Sequence, residues 1–323
     1  MSVKLITGSG GSIGQELSLQ VIENNPGDHV ILNDISEYNL FQIQCRLERK
    51  GLKNFELLLG DCSDPFLQNM IVHKNITQIY HAAAYKHVNL SKLMPQIYYR
   101  YNINSFISIL KFSQIHNAKL TLISTDKAVQ PINPMGISKR LCEFMAVNAI
   151  NNGDAVTIVR FGNVINSSGS VIPLFKSQIE NGGPILLTDR EATRYFMSIS
   201  EAVDLVLQAS ELKPNIYVLD MGEPIKILDV AHKVASEYGK KIVDNPSTVN
   251  EIAIKIIGLR QGEKLEEELT YHKTSESEKK GIYIAEEFND FNTDLIASIT
   301  SSIQNDQTLN INNIDWEKGN WIE

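Results

Sequence analysis

Residues 6–17 read ITGSGGSIGQEL, and the fold turns on these twelve residues. An apolar run from Val3 leads into Thr7. Gly8, Gly11 and Gly14 then follow at intervals of three, with Gly10 giving a second, overlapping register. A turn this tight needs residues without Cβ, and phosphate groups need close approach to the N–H groups of a helix N-terminus. A glycine-rich turn alone can do no more than end a strand. Its setting says more: a strand precedes it, a helix follows, and a second strand closes on Asp34, twenty residues past Gly14. A carboxylate there accepts both hydroxyls of an adenosine ribose and repels a 2′-phosphate, which favours NAD over NADP. Asp61, in GDCSD after the third strand, falls where an adenine edge would lie. A turn or N-cap acid explains it equally well.

Outward from the loop, short β-branched or leucine-rich runs alternate with helix-period stretches. The runs are VKLIT from Val3, HVILND from His29, FELLLG from Phe55, ITQIYHAA from Ile76, KLTLIST from Lys119 and AVTIVRFG from Ala155. YNLFQIQCRLERKG from Tyr38 puts Leu40, Ile43 and Leu47 on one side and closes at Gly51, a C-cap residue. This alternation predicts an α/β fold with a doubly wound parallel sheet. Phe106 and Phe112 read as core. After Gly162 the rhythm breaks into short strands (PILLT, NIYVLDMG) mixed with helices (SEAVDLVLQAS, ILDVAHKVASEY). The expected organisation is a dinucleotide-binding domain over 1–165, its sheet completed by segments around 195–222. A smaller mixed α/β substrate lobe over 166–285 is interleaved with it. Residues 286–323 read as a polar, weakly ordered tail.

The 323 residues are 43% hydrophobic and 21% charged, ordinary globular composition for one large domain or two. Acidic residues outnumber basic ones, 38 to 30, which excludes a basic nucleic-acid footprint. Cys45, Cys62 and Cys142 show no metal-ligand or CxxC spacing and suit a reducing, cytoplasmic setting. No apolar stretch reaches membrane-spanning length, and MSVKLITG has no signal-peptide core. The expectation is a cytoplasmic protein or the soluble part of a membrane-anchored relative, without a metal.

Residues 124–139 read STDKAVQPINPMGISK. A Ser-Thr pair ends an apolar run, and a helix is predicted from Pro134. Met135 and Lys139 then share one helix face. That is the spacing of a redox site in which a lysine and a proton-transferring phenol stand one turn apart, but a thioether cannot carry a proton.

With both motifs in view, the chain resembles the extended short-chain dehydrogenase/reductases. More narrowly, it resembles the UDP-N-acetylglucosamine 4,6-dehydratases of polysaccharide and glycan biosynthesis. The matching stretches are HAAAYKHV (81–88), STDKA…NPMGISK (124–139), RFGNV (160–164), SGSVIPLF (168–175), TRYFM (193–197) and GLRQGEKLEEEL (258–269). Two departures are visible: NINS at 102–105 stands for the family's NVLG, and Gln261 stands for a proline. One branch of this family carries methionine at the tyrosine position and retains the configuration at sugar carbon 5. Many of its members also have an N-terminal membrane region not found here, so the chain is expected to be a naturally short member or a truncated one.

The resemblance implies a reaction on a UDP-N-acetylhexosamine. Hydride leaves carbon 4 for NAD⁺, a base removes the carbon 5 hydrogen as the carbon 6 hydroxyl departs, and hydride returns to carbon 6. Lys139 would hold the nicotinamide ribose and Thr125 the carbon 4 oxygen. Lys127 is the expected base and Asp126 the expected acid. Without a phenol at Met135, the carbon 4 proton would pass through Thr125 and a water to Asp126. By resemblance, Ser12, Ile13, Cys62, Ala82, Ala83, Ala84 and Asn102 join the glycines, Asp34, Asp61 and Lys139 around NAD. Arg194 and Arg260 are expected to clamp the diphosphate. Glu263 would accept from uridine hydroxyls, Asn163 would reach the sugar or its phosphate, and Lys86 would lie near the N-acetyl group. Rival readings are a 4-epimerase, an inverting dehydratase with 5-epimerase activity, and a catalytically silent NAD-binding scaffold. A dimer or larger homo-oligomer is expected by analogy.

Overall fold

The computed structural model describes residues 2–167, 169–287, 292–305, 307–309, 311 and 314–321. The six strands read from the sequence form: β1 (Val3–Thr7), β2 (His29–Asp34), β3 (Phe55–Leu59), β4 (Ile76–His81), β5 (Lys119–Ile123) and β6 (Val156–Arg160). Three more strands, β7 (Ile216–Leu219), β8 (Thr274–Glu276) and β9 (Ile282–Ala285), extend the sheet to the order β8-β9-β7-β6-β5-β4-β1-β2-β3. From β3 to β7 every pairing is parallel. The β9 pairings with β7 and β8 are antiparallel.

The sequence of the strands explains the layering. Every residue of β6 is buried, and so is all of β2 after His29. Runs apolar on both faces need cover on both faces, which crossover helices supply. Helix Glu37–Arg49 buries Leu40, Ile43 and Leu47 as its spacing predicts, and the chain leaves it through Gly51 at φ +74°. The chain winds outward from β1 to β3, then returns to place β4 on the other side of β1. Ligands of such sheets bind where the order reverses, beyond the strands' carboxyl ends.

Two compact units divide the chain. The larger comprises Met1–Phe161, Ser200–Asp220 and Leu269–Glu323, and the smaller Gly162–Ile199 and Met221–Glu268. The expected lobe of 166–285 therefore ends earlier, because β8 and β9 pair onto the large sheet. The smaller unit has a parallel three-stranded sheet of Lys241–Val243, Glu251–Ile256 and Ile185–Leu187. Its own core includes Phe175, Ile179, Ala231, Val234 and Ile252.

The expected weakly ordered tail is a second correction. Thr293–Gln304 is a helix whose Leu295, Ile299 and Ile303 are buried in the core of the larger unit. Their spacing of four is a helical stripe, obscured by the Ser, Thr and Asn around it. Strands Ile314–Asp315 and Asn320–Trp321 form a hairpin beyond it. Among the described residues no helix is long and apolar enough to cross a membrane, and no cluster of metal ligands is found.

Within the larger unit, a buried group of four charges joins distant segments. Arg160 donates to Glu143 through Nε at 2.7 Å and Nη2 at 2.7 Å, and to Glu287 through Nη1 and through Nη2 at 2.9 Å. Arg140 Nη1 reaches Glu143 at 3.1 Å and Glu287 at 3.0 Å, while its Nε and Nη2 donate to the carbonyls of Trp316 and Glu317. Desolvation alone would raise the Glu287 pKa, but Arg160 and Arg140 outweigh it and hold it at about 2.

Two outcomes are expected. Ile299→Ala should lower the unfolding free energy in urea by about 2–5 kcal/mol, as for other buried aliphatic truncations. A depressed carboxylate pKa stabilises fully above the unfolded value of 4.5 and less as pH falls toward about 2. Urea midpoints should therefore drop across that window, and the slope should flatten in Glu287→Gln.

Candidate active site

The glycine loop is built on backbone contacts that exclude side chains. Gly8 has φ +68°, and a Cβ there would lie 2.6 Å from the Ala83 nitrogen. A Cβ on Gly14 would lie 1.9 Å from the Gly8 carbonyl oxygen. The loop thus folds against itself and against the chain leaving β4. Helix Ser12–Asn24 opens from Gly11, and its first turn carries no acidic side chain, so its positive end is left to attract an anion.

Asp34 has a structural task as well as the expected ribose contact. Its Oδ2 accepts from the Gly10 N–H and its Oδ1 from the Ser36 N–H, both at 2.8 Å. Each oxygen has a second lone pair for a hydroxyl. Asp61 Oδ1 accepts from the N–H and the Oγ of Ser63, the turn role that its position also allowed. Cys62 is buried, and desolvation pushes its thiol far above the ordinary value, which makes it inert. Ala82, Ala83 and Ala84 follow β4, with the Ala82 N–H on the Thr7 carbonyl at 3.1 Å. Asn102 is turned to a different task from the expected cofactor contact. Its amide brackets the Tyr85 backbone at 2.8 and 3.0 Å and donates to Ser138 Oγ at 2.9 Å. It ties the wall after β4 to the helix carrying Lys139. The glycine cradle, the helix end and Asp34 fit a dinucleotide.

Beside this cradle, β5 runs out into Ser124 and Thr125. Thr125 caps a single 3₁₀ turn, Asp126–Ala128. Its Oγ1 donates to Asp126 Oδ1 at 2.7 Å, and Lys127 Nζ reaches the same oxygen at 3.0 Å. Asp126 is fully buried, and its Oδ2 has no hydrogen-bond partner among the described residues. The Asp126 N–H donates to the Phe161 carbonyl at 3.1 Å, which anchors the turn to the end of β6.

Helix Pro134–Asn151 delivers the other half. Asn133 caps it by accepting from the Gly136 N–H at 2.9 Å, and Pro134 occupies its first position. A Cβ on Gly136 would stand 2.2 Å from the Lys127 carbonyl oxygen. This residue, absent from the sequence-based set, lets the helix press against the Asp126–Ala128 turn. A glycine inside a helix's first turn was the available signal. Met135 and Lys139 are buried one turn apart. Desolvation lowers the Lys139 pKa, with Cys142 and Glu143 opposing. His81 was also missed. Its Nδ1 lies 2.8 Å from Thr7 Oγ1, and desolvation, then Lys139, brings it to about 3, so its ring is neutral at physiological pH.

Lys86 is exposed in the larger unit. The other expected substrate residues lie in the smaller one. Asn163 begins a two-residue strand paired with Phe196–Met197. Arg194, expected to clamp a diphosphate, is engaged within its own unit. Its Nη1 donates to the carbonyls of Thr193 and Leu265, its Nη2 to that of Lys264, and its Nε lies 3.7 Å from Glu267. Glu263 accepts from the Arg260 N–H at 3.2 Å and closes the Arg260–Glu263 turn. The Arg260 residue itself is exposed.

The sheet order, glycine cradle and Thr-Asp-Lys…Lys set define a dinucleotide-binding fold of the short-chain dehydrogenase/reductase type. A solved structure of the dTDP-glucose 4,6-dehydratase DesIV from Streptomyces venezuelae, with NAD and TYD bound, superposes with a TM-score of 0.69. It is 18% identical, over 83% of this chain and 88% of that one. The chain belongs to the polysaccharide biosynthesis protein family, whose profile matches residues 4–287. The Staphylococcus aureus capsular polysaccharide biosynthesis protein CapD is 42% identical over 274 residues. That match covers 82% of this chain but 44% of CapD, so the chain spans less than half of that relative. A Rickettsia prowazekii protein named UDP-glucose 4-epimerase is 34% identical over 277 residues, 82% of this chain and 76% of that protein.

Gly14→Ala should weaken NAD binding by about a hundredfold or more in calorimetric titration, because the loop must open to admit the methyl group.

Proposed function

We propose that the protein binds NAD and dehydrates a UDP-N-acetylhexosamine, UDP-N-acetylglucosamine first, to the 4-keto-6-deoxy sugar with carbon 5 retained. One observation carries the reading: Asp126 Oδ1 is held by Thr125 and Lys127 while Oδ2 is buried without a partner. Asp126 can then receive a proton at Oδ1 from Thr125 and, as the acid, pass it to a departing hydroxyl. NAD, when bound, supplies a hydride acceptor for carbon 4 and a donor for carbon 6.

The residues of this chain divide the proton work. Thr125 donates its proton to Asp126 and accepts the Lys127 N–H, which leaves one lone pair to accept the carbon 4 hydroxyl. Its direct 2.7 Å contact with Asp126 supports a relay from Thr125 to Asp126. The proton from the carbon 4 hydroxyl passes through Thr125 to Asp126. Lys127, as the free amine, takes the carbon 5 proton, and Asp126 protonates the hydroxyl leaving carbon 6 as water. Lys127 then returns its proton to carbon 5. A single base acting on one face restores the original configuration, and Met135 plays no part in proton transfer. Lys139, buried one turn from Met135, would hold the nicotinamide ribose.

A second reading rests on the similarity to the Rickettsia prowazekii epimerase. A 4-epimerase has no need of an acid–base pair for carbons 5 and 6, and Asp126–Lys127 favours dehydration.

Incubation with NAD and UDP-N-acetylglucosamine should give a product absorbing at alkaline pH and a carbon 6 methyl signal in proton NMR. After reduction, ring couplings should report unchanged carbon 5. A carbon 4-inverted sugar without a methyl group would establish the epimerase reading. No product from any UDP-hexosamine would favour a silent scaffold. Asp126→Asn should slow product formation by about 10²–10⁴-fold.

A further inference from the structure

The turn carrying Thr125, Asp126 and Lys127 is tied at both ends to the buried charge cluster. At its start, Ser124 Oγ donates to Glu143 Oε1 at 2.5 Å, and Ser124 is 4% exposed. The same carboxylate oxygen accepts from Arg160 Nε at 2.7 Å. Arg160 precedes Phe161, whose carbonyl holds the Asp126 N–H. At its end, the Gln130 N–H donates to Tyr271 Oη at 2.7 Å. Gln130 has φ +41°, a conformation that a non-glycine residue keeps only under outside constraint. The Tyr271 ring lies 4.5 Å from the Arg140 guanidinium carbon. Arg140 and Glu143 sit on the same helix as Lys139, one and four residues later.

We propose that this cluster is a positioning clamp: Ser124 and Tyr271 act through Glu143 and Arg140 to fix Asp126 and Lys127 relative to Lys139. Two guanidiniums and two carboxylates balance in charge, and each is held by several directional hydrogen bonds away from water. Such bonds are stronger and more directional there than at a surface. A surface patch of the same charges would drift. Here the helix bearing Lys139 and the turn bearing Asp126 have one common anchor. Neither Ser124 nor Tyr271 is assigned contact with substrate.

The inference rests on the dehydration reading only for its assay, and amide exchange tests it separately. Ser124→Ala and Tyr271→Phe, each nearly isosteric, remove one tether apiece; Tyr271→Phe keeps the ring on Arg140. In the full chain with NAD, both should speed amide exchange of the 124–131 peptide by about tenfold. Both should lower kcat for keto-sugar formation by about 10–100-fold, as small misplacements of catalytic groups do, with KM within about twofold. The melting midpoint should stay within a few degrees of wild type. Unchanged exchange and kcat in both variants would overturn the clamp, as would a kcat loss explained wholly by loss of folded protein. If the wild-type chain makes no keto sugar, the dehydration reading fails, and the exchange data alone decide the clamp.

Discussion

The larger unit is organised around the bidentate pairing of Arg160 with Glu143, completed by Glu287 and Arg140. These side chains come from the end of β6, the helix after β5, and the segment following β9. Burying four charges carries a large desolvation penalty that mutual attraction only offsets when the geometry is good. Such a group is weak evidence for extra stability. An alternative packing that separated any member would leave a charge buried alone, which is strongly destabilising. The carbonyls of Trp316 and Glu317 take the remaining Arg140 donors and bring the last hairpin into the same arrangement.

Around that anchor, the site is shaped by places where backbone meets backbone. Gly8 lies on Ala83, Gly14 on Gly8, and Gly136 on Lys127. A methyl group would separate each pair. The cofactor cradle and the Asp126–Ala128 turn are thus made by the same device, close approach without Cβ. Side chains then add chemistry: Asp34 locks the cradle, and Thr125 and Lys127 take one oxygen of Asp126 and leave the other.

Much of this was legible in the residues. Strongly apolar runs with glycine turns marked the six strands, and the loop with Asp34 marked the cradle. Other features were hidden for identifiable reasons. Leu295, Ile299 and Ile303 lie in a segment so polar that composition concealed the stripe. Arg194 reads as a free guanidinium fork until the carbonyls of Thr193, Lys264 and Leu265 close on it. Asn102 reads as a ligand contact until its amide is seen bracketing Tyr85. In both cases the partner is far along the chain or is backbone, and backbone carries no residue signature.

The sequence by itself determined the parallel sheet, the dinucleotide loop and the Thr-Asp-Lys…Lys set, because each depends on local spacing and on side-chain chemistry. The tertiary structure alone decided which Asp126 oxygen is left without a partner. It also decided that Gly136 seats the Asp126–Ala128 turn and that Ser124 and Gln130 share an anchor whose members are as far apart in the chain as Gln130 and Glu287. Those facts follow from distances between segments that only folding brings together, and no period or motif along a chain encodes a distance of that kind.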